Sequence, residues 1–342
     1  MISEKHEIPR GQPRQNTGGQ PATAKTGAGS APDLSLIIGG VRFKNPVIAA
    51  SGTFGFGAQY SELIDVSGLG GICTKGLTLH PREGNNGPRL WETPSGILNS
   101  IGLENPGIKE FLQFELPRMR ELGTVIIANL SGSDIDEYTE GAALLDTSAV
   151  DMIELNISCP NVKSGGMAFG LDPDIAASVV KPVRRACGHK PLMVKLSPNA
   201  PDIVAVARAC VKNGADALSL VNTFKAMAID TERRKPVFDN ISAGLSGPAV
   251  RPIALRMVWE LYETLAGETL SGQTGRPRLP IIGMGGIACT NDALEFLMAG
   301  AAAIQVGAAT FANPSVMPEI IEGLGNYMRD HGYMRIEEIS IR

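Results

Sequence analysis

One stretch of the chain carries the residue types of a reaction centre: Glu154-Leu155-Asn156-Ile157-Ser158-Cys159-Pro160-Asn161. It begins as an apolar, β-branched run of buried-strand character and breaks at Cys159-Pro160, because proline cannot donate to a strand ladder and biases its predecessor away from helix. A thiol therefore stands where a strand ends. With an ordinary pKa of about 8.5 it can serve as a general base near neutrality. Asn156 and Asn161 flank it with carboxamides that both donate and accept, which is what reading the edge of a planar, amide-bearing ring requires. The run Lys163-Ser-Gly165-Gly166-Met-Ala-Phe-Gly170 that follows is rich enough in glycine to open and close. Cys73, Cys187, Cys210 and Cys289 have no such company and are expected to be small buried hydrophobes. His6, His80, His189 and His331 are scattered through tail, loops and C-terminus, so neither a rival base nor a metal site is expected.

The elements that position this centre follow one rhythm. A short β-branched run ends in Gly, Ser, Asn or Lys, and a longer segment of helical period comes next. Eight such runs are visible: Val47 to Ser51, Gly71 to Lys75, Val125 to Asn129, Met152 to Ile157, Leu192 to Leu196, Ala217 to Val221, Pro280 to Met284 and Ala303 to Val306. Asp172 to Ala186, Pro201 to Asn213, Pro248 to Leu265 and Asn291 to Ala299 fill gaps between them as helices. Alternating strand and helix implies a parallel sheet, and eight units close into an α/β fold of the (β/α)8 TIM-barrel type, with the active site at the C-terminal strand ends. A doubly wound open sheet is the alternative.

Ahead of the barrel, the alternating runs of Leu34 to Phe43 joined by Gly39-Gly40 predict a hairpin plugging one end. Two insertions, Leu79 to Gly123 and Phe224 to Ser246, follow strand ends and are expected to roof the catalytic face. Residues 266–278 precede a strand and are expected as a loop on the opposite face.

Polar residues cluster where strands end: Ser51, Lys75, Asn129, Asn156 with Cys159, Lys195, and Asn222 with Thr223. Strand ends are polar in any protein because loops begin there. Two lysines are harder to dismiss, since a lysine near a buried mouth costs free energy unless an anion meets it, so Lys75 and Lys195 point to an acidic ligand or a cofactor that becomes anionic. Gly283-Met-Gly285-Gly286 and Gly307-Ala308 end the last two strands and fit a phosphate pocket of backbone amides. Gly283-x-Gly285-x-x-Ala288 also matches a loose dinucleotide fingerprint, but no acidic residue closes the next strand to take a ribose hydroxyl.

Composition narrows the classes. The chain has 342 residues, 43% of them hydrophobic, enough for a large core, and its charge balance of 31 − 35 = −4 argues against nucleic acid as a partner. Five cysteines with no C-x-x-C pair encode neither a disulfide framework nor an iron–sulfur site, and a reducing cytoplasm is the simplest compartment. No apolar run approaches the length of a membrane span, and no signal-peptide core stands at the N-terminus. Residues 1–32, rich in Gly, Pro, Gln, Thr and Ala, have the composition of a disordered tail, which leaves 33–342 as the barrel domain.

From about Leu34 onward the chain resembles the class 1 dihydroorotate dehydrogenases, flavoproteins of pyrimidine biosynthesis. The likeness rests on Ala50-Ser-Gly-Thr-Phe-Gly, Thr74-Lys75-Gly76, Asn99-Ser100-Ile101-Gly102-Leu103, Glu154 to Asn161, Val194-Lys-Leu-Ser-Pro, Asn222-Thr223, Leu245-Ser-Gly-Pro and Ile282-Gly-Met-Gly-Gly. The resemblance implies FMN held by Ser51, Lys75, Gly76, Asn129, Asn156, Lys195, Val221, Gly247, Gly285, Gly286, Gly307 and Ala308. It implies substrate contacts from Lys75, Asn99, Ser100, Ile101, Gly102, Leu103, Asn156, Asn161, Asn222 and Thr223, and no metal. Cys159 takes the role of the base that removes the C5 proton of (S)-dihydroorotate as hydride leaves C6 for the flavin, and Lys195 that of stabilising charge on the reduced flavin.

A cysteine base with Asn161-Val-Lys-Ser-Gly-Gly is similar to the NAD-linked subclass, whose members form a homodimer that joins an FAD and [2Fe-2S] electron-transfer subunit in a heterotetramer. Ala308 departs from the family's usual Thr or Ser, removing a hydroxyl from the phosphate contact while leaving the amide. A fumarate-linked homologue, a flavin-dependent dihydropyrimidine oxidoreductase, a flavin-free aldolase or isomerase using Lys195 as a Schiff base, and a non-catalytic scaffold for an electron-transfer partner are the competing readings.

Overall fold

In chain order the strands are β1 (Leu36–Ile38), β2 (Val41–Phe43), β3 (Val47–Ala49), β4 (Gly71–Cys73), β5 (Leu90–Thr93), β6 (Gly96–Asn99), β7 (Val125–Leu130), β8 (Met152–Asn156), β9 (Leu192–Lys195), β10 (Ala217–Leu220), β11 (Phe224–Ala226), β12 (Ile229–Asp230), β13 (Lys235–Pro236), β14 (Ala243–Ser246), β15 (Ile281–Met284) and β16 (Ala303–Val306). They come from a computed structural model that describes residues 31–158, 169–266 and 279–341. The tail expected over 1–32 and the loop expected over 266–278 lie almost wholly outside the described residues.

The strands β3, β4, β7, β8, β9, β10, β15 and β16 pair side by side in parallel, and β16 returns to β3 to close a barrel. These are the runs expected from the β-branched pattern, and closure excludes the open sheet. Every residue of β8, β9, β10, β15 and β16 is buried, because inward side chains fill the barrel while outward ones meet helices. The helices start where the sequence supplies caps. Asp134 accepts from the Glu137 amide ahead of Ile135–Asp146, Asp172 from the Asp174 and Ile175 amides ahead of Pro173–Ala186, and Asp202 from the Ala205 amide ahead of Ile203–Lys212.

The lower end of the barrel is sealed by the β1–β2 hairpin. Gly39 and Gly40, at φ +56° and +86°, make the tight turn that alternating strands need. Phe43 is fully buried, and a Cβ on Gly71, the first residue of β4, would lie 3.2 Å from its ring. A Cβ on Gly39 would press on Pro191, just before β9, at 2.7 Å. The hairpin therefore packs at the N-terminal strand ends and leaves the other mouth open.

Over that mouth the two insertions form a joint structure that the strand pattern did not announce. Strands β5 and β6 of the first join β11 and β14 of the second in one antiparallel sheet, in the order β11-β14-β6-β5, with Leu98 opposite Leu245. Leu98, Val237, Phe238 and Ala243 give this roof its own small core. Only the first part of the Leu79 to Gly123 insertion belongs to it. Ile108–Glu110, the π-turn Phe111–Glu115 and Leu116–Glu121 follow as helix, and Ile108, Phe111, Leu116 and Met119 are buried in the main core.

Phe43→Ala empties the seal of the barrel and is expected to cost about 3–5 kcal/mol, read as a lower denaturant midpoint at unchanged slope. An unchanged midpoint would mean that the hairpin does not hold the lower end.

Candidate active site

The site grows from β8. Glu154 and Asn156, two positions apart on a strand, face the same way, here into the barrel. Strand register sets Asn129 of β7 beside Glu154, Lys195 of β9 beside Asn156, and Ser219 of β10 beside Lys195. Glu154 is 0% exposed and accepts hydrogen bonds from Asn129 Nδ2 at 2.6 Å, Cys73 Sγ at 3.1 Å, Ser219 Oγ at 2.8 Å and Gln305 Nε2 at 2.8 Å. Lys195 Nζ lies 3.8 Å away. Burial, the largest single influence, pushes the Glu154 carboxyl up, but the Lys195 ammonium and the bonds from Ser219, Cys73 and Gln305 together outweigh it and hold it below the usual range. The Cys73 thiol responds in the opposite direction: burial and then the Glu154 charge push it well above its usual value.

Above this network opens a cavity of about 810 Å³ at the C-terminal strand ends. That size lies in the upper part of the range of about 300–1,000 Å³ typical of ligand and cofactor sites. Asn156, Lys195 and Gln305 line it from the barrel interior, and Ser51, Lys75, Gly76, Val221, Gly247, Gly285, Gly286, Gly307 and Ala308 from the surrounding strand ends. Asn99, Ile101, Gly102, Leu103, Asn222 and Thr223 also line it. Among the described residues, two that were expected there are not on its wall. Asn129 sits behind Asn156, with its amide bonded to Glu154 and its carbonyl accepting from Asn156 Nδ2 at 3.4 Å. Ser100 is buried behind the roof, where Asn85 Nδ2 donates to its hydroxyl at 3.1 Å.

Cys159, Asn161 and the glycine-rich residues 163–168 lie outside the described residues. Ser158, the last described residue before them, is buried, donates to Asn156 Oδ1 at 2.9 Å and accepts from Asn222 Nδ2 at 2.9 Å. Phe169 is the next described residue; its ring meets Tyr138 edge-on at 5.8 Å, and the Tyr138 hydroxyl donates to the Asn156 carbonyl at 2.8 Å.

Two sequence arguments change here. Neither lysine stands without an anion: Lys195 has Glu154, and Lys75 Nζ lies 3.6 Å from Glu104, which also binds Arg89 at 2.6 Å. The Lys75 pair is partly exposed and weak, so a ligand carboxylate can compete for that lysine. Cys73, expected as a plain hydrophobe, is buried but also donates to Glu154. No motif points to the roles of Glu154, Ser219 and Gln305, although a glutamate inside an apolar strand run is itself a signal that partners must be found.

The wall fits a flat, phosphate-bearing cofactor such as FMN. A Cβ added at Gly307 would meet nothing nearer than Ala50 Cβ at 3.5 Å, so no packing neighbour demands glycine there and the space belongs to the cavity. Gly286, at φ +77°, lies against the Gly247 carbonyl, which a Cβ would approach to 2.8 Å, keeping the backbone bare at that wall. Gln305 Oε1 is buried with no hydrogen-bond partner among the described residues, and Gln305 lines the cavity. On the roof, Gly102 at φ +80° and Leu103 at φ +58° turn the chain sharply, the latter a strained state for leucine that the bond from Asn105 Nδ2 to its carbonyl at 2.7 Å helps to hold. Among the described residues no group of His, Cys, Asp and Glu could hold a metal ion, and no helix is long and apolar enough to cross a membrane.

Thiol reactivity tests this arrangement. Burial raises Cys187 to about 11 and Cys210 to about 12, and Cys73 is raised as well. A raised thiol pKa means a vanishing thiolate fraction at pH 8, whereas Cys289, against the expectation of burial, is exposed. In Cys159→Ala, which keeps 5 − 1 = 4 cysteines, one thiol should react rapidly with an aromatic disulfide reagent in the native state and all of them after denaturation. Rapid reaction of a second native thiol would contradict the burial.

Comparison with known proteins places this geometry. The family model described as dihydroorotate dehydrogenase matches residues 33–328. A dihydroorotate dehydrogenase B (NAD(+)) catalytic subunit of Petrotoga mobilis is 55% identical over 307 residues, 90% of this chain and 98% of that protein. Proteins of the same name from Geotalea daltonii and Caldicellulosiruptor saccharolyticus are each 50% identical over 90% of this chain, covering 97% and 98% of their own lengths.

Proposed function

The chain belongs to the dihydroorotate dehydrogenase family, and from that membership we propose that it is the catalytic subunit of an NAD-linked enzyme oxidising (S)-dihydroorotate to orotate in pyrimidine biosynthesis. The observation that carries this reading is the cavity at the C-terminal mouth, with a lysine in its interior, glycines on its wall and carboxamides at its rim. FMN, when bound, accepts the hydride from C6 of the substrate. Backbone amides about Gly285, Gly286, Gly307 and Ala308 hold its phosphate, and Ser51, Lys75, Gly76, Asn156, Val221 and Gly247 shape the rest of its bed. Thr310 offers no substitute for the hydroxyl that Ala308 lacks, since its Oγ donates to the Gly307 carbonyl at 2.9 Å.

Lys75 and the amides near Gly102 take the substrate carboxylate, while Asn99, Asn156, Asn161 and Asn222 read the ring. Ser158 fixes the carboxamides of Asn156 and Asn222, so part of their orientation exists before substrate arrives. Ser100 and Asn129 work from behind, the former holding the roof turn and the latter holding Asn156. Cys159 removes the C5 proton. The roof sheet over the mouth limits the access of water. We assign this work to residues 33–342 and give 1–32 no part in it.

The electrons reach NAD through a separate subunit carrying FAD and a [2Fe-2S] cluster, the working assembly being a heterotetramer built on a homodimer of this chain in the cytoplasm. The names of the relatives favour NAD over fumarate. A Schiff-base role for Lys195 is disfavoured by its 5% exposure and its pairing with Glu154.

Purified protein is expected to carry a flavin absorbance band that bleaches anaerobically with dihydroorotate. Cys159→Ala should keep the band and lose at least about a hundredfold in bleaching rate, the usual scale of a lost general base. Colourless protein would overturn the cofactor assignment, and full-rate bleaching in the variant would overturn the base. Brisk NADH formation by this chain alone would overturn the need for a partner.

A further inference from the structure

Resting on the FMN reading, we infer that Glu154 is a positioning residue that sets the redox poise of the bound cofactor by holding the Lys195 ammonium in place and offsetting its charge. Glu154 does not line the cavity, whereas its partners Lys195 and Gln305 do, so the carboxylate meets a ligand through them, and Lys195 is the one that carries charge. Its other bonds come from the interior side: Cys73, Asn129, Ser219 and Gln305 each contribute one donor from a different strand. For stability alone such a buried ion pair is a poor device, since well-packed neutral residues of similar volume do as well or better. Four donors converging on one anion, with its counter-charge on the wall of the cavity, make sense as control of the charge felt there.

The direction follows from the charges. A lone ammonium at that wall draws electrons onto the cofactor and favours its reduced, more negative state. A carboxylate 3.8 Å behind turns the lone charge into a pair and weakens that pull. Glu154 therefore keeps the cofactor reducing, which suits a chain that must pass its electrons onward to a nicotinamide.

The test is the midpoint potential of the bound flavin, read spectroscopically against reference dyes in full-length protein. Glu154→Gln should shift the oxidised-to-reduced equilibrium at least tenfold towards reduced, a rise of about 30 mV for a two-electron couple. The new amide is tolerable because Gln305, whose Oε1 has no partner among the described residues, can turn its carboxamide over and accept from it. Glu154→Asp, which keeps the charge, should stay within threefold of native. Lys195→Gln strips Glu154 of its counter-charge, so the buried carboxyl takes up a proton and neither that variant nor its combination with Glu154→Gln holds a buried charge; the two should therefore match, which keeps the proposal testable if the single Glu154→Gln variant fails to fold. An unchanged potential in Glu154→Gln, an equal shift in Glu154→Asp, or a tenfold difference between the double variant and Lys195→Gln would each overturn the inference. Flavin content separates the two proposals: colourless native protein sinks the FMN reading, while a flavin-loaded Glu154→Gln with native potential sinks this one alone.

Discussion

A carboxylate sealed inside the barrel is the constraint to which the site conforms. An ionised group without water needs its charge met and its lone pairs filled, and Glu154 obtains both from five other strands of the barrel: Cys73 on β4, Asn129 on β7, Lys195 on β9, Ser219 on β10 and Gln305 on β16. Barrel interiors of this class are usually filled by branched apolar layers. Here one layer is polar, and satisfying it ties six of the strands to a single point.

From that point a chain of hydrogen bonds climbs to the mouth. Asn129 meets Asn156, Asn156 meets Ser158, and Ser158 meets Asn222. Asn156 and Asn222 on the wall are thus each held by a further polar side chain, and hydrogen-bonded networks of this kind add rigidity. Rigid polar groups at a cavity wall lose little on binding a planar ligand, because their orientation has already been fixed.

The two ends of the barrel divide the remaining work. At the lower end Phe43 and the glycine turn of the hairpin close the core with apolar packing. At the upper end the insertions after β4 and β10 contribute two paired strands each, and the β14–β6 pairing joins the two halves into one sheet. The roof has a core of its own, distinct from that of the barrel, which gives the fold a stable body and a separately packed cover over the reaction space.

The eight barrel strands were legible in the sequence because strands buried on both faces must be continuous β-branched runs, and because each ends in residues that a loop can use. Most of the cavity wall was legible for the same reason: in this fold Ser51, Lys75, Asn156, Lys195 and Asn222 face the mouth by standing at strand ends. What sequence order could not supply is what meets across the closed ring. Cys73, Ser219 and Gln305 look unremarkable in their own strands and acquire a role only when closure brings them to Glu154. The lysines seemed to await an anion because their carboxylate partners come from other segments, Glu104 from the roof and Glu154 from the neighbouring strand. Local pattern thus determined which segments form strands and where chemistry could sit, while tertiary closure decided which charges neutralise one another, since that depends on distances between residues far apart in the chain.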